Sequence, residues 1–243
     1  MSESRPNVRP LQNIMITSRD FAEYLTMFAL DENRIRRDRV LDCAAGASDF
    51  AAHARTLGAT VVSADPLYDQ EPDRLRARVL LELQQGEQRA QEAAELYDFG
   101  WTGGLAGYLA RRRTAATTFL EDYAQAWRTP GGRDRYVPAS LPRLPFEDRA
   151  FALGLVPNLL FTYANLFDRD WHRASLRELT RVCHEVRVHP LNDTAGRLYP
   201  ELDQLTAELG EEGITCELVP VDYQLRREPS QTMICRRAAA TAR

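Results

Sequence analysis

The hydrophobic pattern of the chain switches between helical and strand-like periods. Phe21, Tyr24, Leu25 and Phe28 fall at helical spacing behind Thr17-Ser18, which predicts a helix with Ser18 as its N-cap and an irregular arm over residues 1–16. Val40 and Leu41 then end an apolar, strand-like approach, small residues run from Ala44 to Ala47, and Phe50-Ala51-Ala52-His53-Ala54 resumes the helical period. A second strand, Thr60-Val61-Val62-Ser63-Ala64, ends on Asp65-Pro66. Residues 38–65 therefore read as a strand–helix–strand unit.

From Leu67 to Arg135 the alternation stops. Residues 72–98 are helical by period, with Leu75, Val79, Leu80, Leu83 and Leu96 on one face. Phe99 to Gly104 breaks that pattern. A second helix from Leu105 to Trp127 turns Leu109, Phe119, Leu120 and Tyr123 inward and stops at Thr129-Pro130-Gly131-Gly132. This stretch is too long for a loop and predicts an inserted helical subdomain. In α/β folds such an insert lies over the carboxyl ends of the strands, where ligands bind. The expected organisation is an N-terminal arm and lid helix over 1–36, a core domain over 37–68 and 133–243, and a cap over 69–132. Asp98, Trp101 and Tyr108 are the cap residues expected to face a pocket, with ordinary core packing an equal reading of Trp101.

The remainder returns to strands and helices. Phe151–Asn158 is a short buried strand, and a helix runs from about Asp168 through Arg181. Val182–Leu191 is the fifth strand, followed by a helix over Tyr199–Leu209 that ends at Gly210. Ile214–Tyr223 and Gln231–Arg237 pair as an antiparallel hairpin across Gln224–Ser230. The tail, 238–243, is expected to be disordered.

Composition narrows the class. A hydrophobic content of 44% supports a packed core. No apolar run approaches the ~20 residues of a membrane helix. Arg5, Arg9, Asp20 and Glu23 interrupt any signal-peptide centre, so a cytoplasmic protein with no membrane partner is expected. A net charge of −4 gives no sign of a nucleic-acid surface. Cys43, Cys183, Cys216 and Cys235 lack Cys-x-x-Cys spacing and read as buried free thiols. The basic residues are all arginine, which excludes a P-loop lysine and a pyridoxal-phosphate Schiff base. A monomer or a homodimer is expected.

The first strand–turn–helix carries the candidate chemistry. A tight small-residue turn between strand and helix lets backbone approach a ligand closely. Asp65, at the tip of the second strand, is placed to accept hydrogen bonds from a ribose diol. With only Gly46 in the turn, the Gly-x-Gly-x-x-Gly dinucleotide fingerprint is not met.

Asp42, Ala44 and Gly46 resemble the first motif of class I S-adenosylmethionine (SAM) dependent methyltransferases, with Ala44 where glycine is usual. Leu144-Pro145-Phe146, followed by Glu147-Asp148 and Phe151, is similar to the third cofactor motif of that family. There Ser140 stands where an aspartate commonly meets the adenine amine. The segment from Phe151 to Tyr163, with Asp65-Pro66-Leu67-Tyr68 and Glu185–Leu191, looks like a bacterial family of class I SAM-dependent methyltransferases with a helical insert. The resemblance runs from about Tyr24 to Arg237. It implies an α/β fold with a seven-stranded sheet, the last strand antiparallel, and helices on both faces. It also implies SAM as co-substrate, held by Asp42, Ala44, Gly46, Asp65 and Pro66. Ser140 and the Leu141 backbone are implied at the adenine, and Asn158 at the methionine part or the acceptor. The first helix itself reads either as packed on the core or as a lid whose Tyr24, Met27 and Phe28 cover the sulfonium, since ring faces attract cations. Two departures stand out at strand ends: Pro157-Asn158 where the family has Ser-His, and His189 where it has Phe.

SAM carries its own leaving group, so transfer mainly needs alignment and a dry pocket, and no catalytic triad is expected. His189 is the candidate base, and Asn158 and Tyr163 are candidate pocket residues. The histidines lack metal-ligand spacing, and no metal is expected. The leading expectation is methyl transfer to a small-molecule acceptor, which the cap and the acidic surface favour over DNA or RNA. A second is cyclisation of SAM to azetidine-2-carboxylate with release of methylthioadenosine, for which Asn158, Tyr163, Tyr199 and Ser230 would line the pocket. A third is a non-catalytic SAM-binding or partner-binding protein.

Overall fold

Alternation along β1 (Arg39–Cys43) sorts its side chains onto two faces of a sheet. Val40 packs with Tyr24, Phe50 and Leu153, whereas Leu41 and Cys43 pack with Leu176 and Val186 on the other face. The structure is a computed structural model and describes residues 13–223, 225 and 230–238. The arm over 1–12, the hairpin turn at 224 and 226–229, and the tail over 239–243 lie outside the described residues.

Seven strands form one sheet in the order β3-β2-β1-β4-β5-β7-β6. They are β1, β2 (Thr60–Ala64), β3 (Tyr136–Val137), β4 (Phe151–Pro157), β5 (Cys183–His189), β6 (Ile214–Val221) and β7 (Ser230–Arg237). β7 runs antiparallel to both β5 and β6; the other ladders are parallel. This is the class I methyltransferase sheet, with its last strand reversed. The order switches direction between β1 and β4, and in open α/β sheets ligands bind at such a switch point, at the carboxyl ends of the strands.

α1 (Phe21–Met27), α2 (Glu32–Arg37) and α3 (Phe50–Thr56) precede β2, and α6 (Arg169–Val182) and α7 (Leu202–Glu211) cover the opposite face. α1 docks on α3 by stacking Phe21 and Tyr24 on Phe50, at ring-centroid distances of 5.7 and 4.5 Å. The N-cap of α1 is Asp20, not Ser18. Asp20 and Glu23 form a reciprocal capping box, which outcompetes a serine held in the extended approach two residues earlier. Tyr24, Met27 and Phe28 are fully buried. α1 is therefore part of the core, because its apolar stripe is consumed by α3 and the sheet.

The insert is an antiparallel pair, α4 (Pro72–Glu92) and α5 (Gly104–Arg128). Leu75, Val79, Phe119, Leu120 and Tyr123 pack on Ala45, Ala47, Leu67 and Tyr68. The pair thus sits over the turns that leave β1 and β2. α4 ends at Glu92 rather than running to residue 98, and Leu80 is exposed because the contact stripe is narrower than the apolar positions suggested.

β5 shows a row of polar side chains on one face. Glu185 and Arg187 form a 2.8 Å pair, and Arg187 also reaches the carbonyl oxygens of Phe28 and, at 2.9 Å, Ala29. Orphan carbonyls at the end of α1 are satisfied this way. All four cysteines lie in strands as free thiols, with Cys216 and Cys235 facing each other across β6 and β7.

Gly154, in the centre of β4, is fixed by packing. An added Cβ would lie 2.7 Å from the Cys183 thiol and 3.7 Å from Val186. Gly154→Ala is expected to cost about 1–3 kcal/mol of stability through overpacking, read by chemical denaturation. A variant as stable as the parent would mean that β5 yields freely.

Candidate cofactor site

The turn after β1 is shaped by two left-handed residues, Ala44 (φ 61°) and Gly46 (φ 59°). An alanine in that region is strained, so the surroundings hold it there. Its amide bonds the Ala64 carbonyl at 2.8 Å, tying the turn to the end of β2. At Gly46 a side chain has no room, because a Cβ would meet the Thr17 carbonyl oxygen at 3.0 Å.

Asp65 closes this turn from the tip of β2. Its Oδ2 accepts from the Gly46 amide and its Oδ1 from the Leu67 amide, both at 3.0 Å. The Tyr68 hydroxyl donates to the Gly46 carbonyl at 2.8 Å. Burial raises the Asp65 carboxyl to about 6, and the two amides pull against that rise. Pro66 opens a single 3-10 turn and is exposed.

Asp42 is fully buried beneath the same turn. Tyr24 donates to its Oδ1 at 3.1 Å, and the Ser48 hydroxyl lies 3.4 Å from its Oδ2. Burial, opposed only by these neutral donors, raises Asp42 to about 8. Asp49, at the start of α3, is raised by burial to about 7, with the Asp20 charge adding to the rise. These carboxyls keep their protons in the folded chain at pH values where the unfolded chain has released them. Their contribution to stability is therefore complete below about pH 4 and declines as pH rises through about 6 to 8. Asp42→Asn is expected to flatten that decline and to raise stability at pH 8 by at least about 1 kcal/mol relative to wild type, with little change at pH 4. Parallel stability–pH curves for the two proteins would show that Asp42 is ionised in the fold.

The segment before α1 crosses this site. The Ala47 amide bonds the Thr17 carbonyl and the Asp49 amide bonds the Arg19 carbonyl, each at 3.0 Å. Met15 donates its amide to the Tyr163 hydroxyl at 3.0 Å. Residues 15–19 thus strap the turn after β1 to the segment after β4.

Beside it lies a buried ionic cluster. Arg112 of α5 clamps both oxygens of Glu23 at 2.6 Å, and the Tyr223 hydroxyl donates to Glu23 at 2.9 Å. Arg19 donates to Tyr223 at 2.8 Å and to Glu23 at 3.3 Å. The arginines hold the Glu23 carboxyl below the usual range although burial opposes this. Arg112 was legible in principle: it stands on the Leu109–Ala116–Phe119 stripe, where a charge needs a buried partner. Glu23 was legible as the third member of an Asp-x-x-Glu capping box.

The other expected residues divide. Asn158 follows β4 in the left-handed region (φ 50°); its amide donates to the His189 carbonyl at 2.6 Å, and its Nδ2 is buried without an acceptor among the described residues. His189 is buried against Phe28 and Tyr223, with Nδ1 3.0 Å from the Thr232 hydroxyl. Burial and the Arg19 charge lower it to about 3, so it is a far weaker base than a histidine at a strand end suggests. Ser140 is exposed in a turn with Arg143, while the Leu141 side chain packs in the core. Tyr199 stacks on His172 beneath α6, in a different cluster from Tyr223. Trp101 is partly exposed beside Tyr223, Arg112 lies over the Tyr108 ring, and Asp98 caps the turn at Gly100. No group of three side chains suited to a metal occurs among the described residues. No helix among them is long and apolar enough to cross a membrane.

No protein-family profile matches the chain. An uncharacterised protein of Methanocaldococcus jannaschii is 26% identical over 229 residues, which span 93% of this chain and 98% of that one. Among solved structures, magnesium protoporphyrin IX methyltransferase from Synechocystis, with bound SAM, is 11% identical with a TM-score of 0.46, covering 85% of this chain and 73% of that one. The 1,6-didemethyltoxoflavin-N1-methyltransferase of Burkholderia thailandensis, with its substrate and S-adenosylhomocysteine, is 17% identical with a TM-score of 0.49, covering 90% and 79%. A SAM-dependent methyltransferase of Bacteroides fragilis with S-adenosylhomocysteine is 11% identical with a TM-score of 0.44, covering 90% and 81%. With identities and TM-scores this low, no substrate or residue role transfers from these neighbours to this chain.

Proposed function

We propose that the protein binds SAM at the turn after β1 and transfers its methyl group to a small-molecule acceptor. The observation that carries this reading is the Gly46–Asp65 contact: a side-chain-free, left-handed turn facing a buried carboxylate at the tip of β2, within this strand order. Asp65 keeps a second lone pair on each oxygen for the two ribose hydroxyls. Asn158 Nδ2 and Asp49 Oδ1 are buried polar atoms without partners among the described residues, and suit the polar end of a ligand in the crevice. The sulfonium supplies an activated methyl, which leaves the protein to align the reactants and exclude water. The strap over residues 15–19 and α5 do the excluding. With His189 so weakly basic, the favoured acceptor is one that attacks without a strong protein base, such as an amine already neutral or an acidic enol.

The strap also gives weight to a second reading, cyclisation of SAM to azetidine-2-carboxylate, because an intramolecular reaction needs no opening for an acceptor. Mass spectrometry of the protein incubated with SAM separates the two. Stoichiometric methylthioadenosine and azetidine-2-carboxylate, formed with no added acceptor and above a boiled control, establish cyclisation and remove methyl transfer. Intact SAM, bound at micromolar affinity by calorimetry, supports methyl transfer and directs a screen for acceptors that release S-adenosylhomocysteine. Absence of any SAM binding removes both.

A further inference from the structure

We propose that Arg19 grips the carboxylate of a ligand. The buried cluster at the strand ends holds two guanidinium groups and one carboxylate: Arg19, Arg112 and Glu23 are 8%, 7% and 2% exposed. Arg112 engages both oxygens of Glu23 at 2.6 Å and the Ser18 carbonyl at 2.5 Å, so its charge is matched. Arg19 is less closely matched among the described residues. It meets Glu23 at only 3.3 Å, and its shorter bond goes to the neutral Tyr223 hydroxyl. Both bonds leave from Nη1, while the buried Nε finds no acceptor among the described residues. Among the described residues the cluster thus carries one surplus positive charge out of water, a state that calls for an anion.

The surplus lies in the crevice. The Arg19 carbonyl caps the Asp49 amide just past the Gly46 turn, and the Tyr223 ring that Arg19 touches meets His189 at 5.3 Å. Asn158, bonded to the His189 carbonyl, offers the other buried donor without an acceptor, Nδ2. A planar monoanion fits this set. The Nε edge of a guanidinium presents parallel N–H bonds that a carboxylate takes side-on. A phosphate dianion would bring two charges to a surplus of one. Two sources supply a carboxylate here: the methionine end of SAM or the acceptor itself. Distinguishing them rests on the proposed SAM reading; the carboxylate grip does not.

Formate, the smallest carboxylate, is the probe. Thermal unfolding of the full chain is followed against formate, with chloride at equal ionic strength as control. Each series is run free and saturated with SAM, on wild type and Arg19→Gln. Wild type is expected to gain stability with formate over chloride, and Arg19→Gln to need at least about ten-fold more formate for the same gain. Loss of the formate gain under SAM assigns the grip to the methionine carboxylate. A gain that persists under SAM assigns it to the acceptor, whose class is then a carboxylic acid. No difference between formate and chloride in either state, or a formate gain unchanged in Arg19→Gln, overturns the proposal. If Arg19→Gln does not fold, Arg19→Lys replaces the planar fork by a point charge, and formate binding undiminished in it overturns the proposal equally. Failure of SAM to bind by calorimetry removes the proposed function and leaves the comparison in the free protein as the test of Arg19.

Discussion

Replacing Glu23 by glutamine is expected to cost the fold about 3–5 kcal/mol, read as a shift in the denaturation midpoint with an unchanged slope. Among the described residues Glu23 is the only carboxylate bonded to both Arg19 and Arg112, and glutamine keeps its shape while removing its charge. Two guanidinium groups would then share a dry environment without the carboxylate that bridges them. The loss also reaches the capping box, since the Glu23 carboxyl accepts the Asp20 amide at 3.2 Å. The cost should shrink when the charge it strands is also removed. Glu23→Gln combined with Arg112→Met is expected to recover part of the stability, because the penalty comes from unpaired charge and not from lost volume. A Glu23→Gln protein within about 1 kcal/mol of wild type would show that water reaches the cluster.

Asp65→Ala is expected to weaken SAM binding about 100-fold. Two charge-assisted bonds to ribose hydroxyls, at the low end of about 1.5 kcal/mol each, give that factor. The substitution also frees the Gly46 and Leu67 amides, so the turn loses the contact that sets its distance from β2. Because burial holds Asp65 at about 6, its ionised, accepting form grows as pH rises through 6. SAM affinity measured by calorimetry should therefore increase between pH 5 and pH 7 in wild type and stay flat in Asp65→Ala. Equal affinity in the two proteins would place the ligand elsewhere and remove the turn after β1 as its site.

Much of this architecture was legible along the chain because it follows from local rules. The small residues from Ala44 to Gly46 between a strand and a helix predicted the turn, and two of them adopt φ values near +60°. Leu109, Phe119, Leu120 and Tyr123 marked the buried stripe of α5, and Thr129-Pro130-Gly131-Gly132 marked its end. The hairpin before the C-terminus followed from alternation, and its register pairs Ile214 with Arg237. Errors came where two local signals competed: Ser18 and Asp20 are both good caps, and the reciprocal bond to Glu23 decided between them.

The site was legible only in part. Asp42, Gly46 and Asp65 are close in sequence to the turn they build, so their types and spacing carried the inference. Arg19, Glu23, Arg112 and Tyr223 come from the strap, α1, α5 and the segment after β6, and only the packed chain brings them together. His189 shows the same limit: a histidine at a strand end reads as a base, yet burial among Phe28, Tyr223 and the Arg19 charge lowers it to about 3. The sequence by itself determined most of the elements and the acid–turn pair after β1, since hydrophobic period and turn chemistry act over a few residues; the seven-stranded sheet was what the family resemblance implied. The tertiary structure decided which charges are buried together and which lacks a partner, because desolvation and Coulomb energy depend on distance through space and not along the chain.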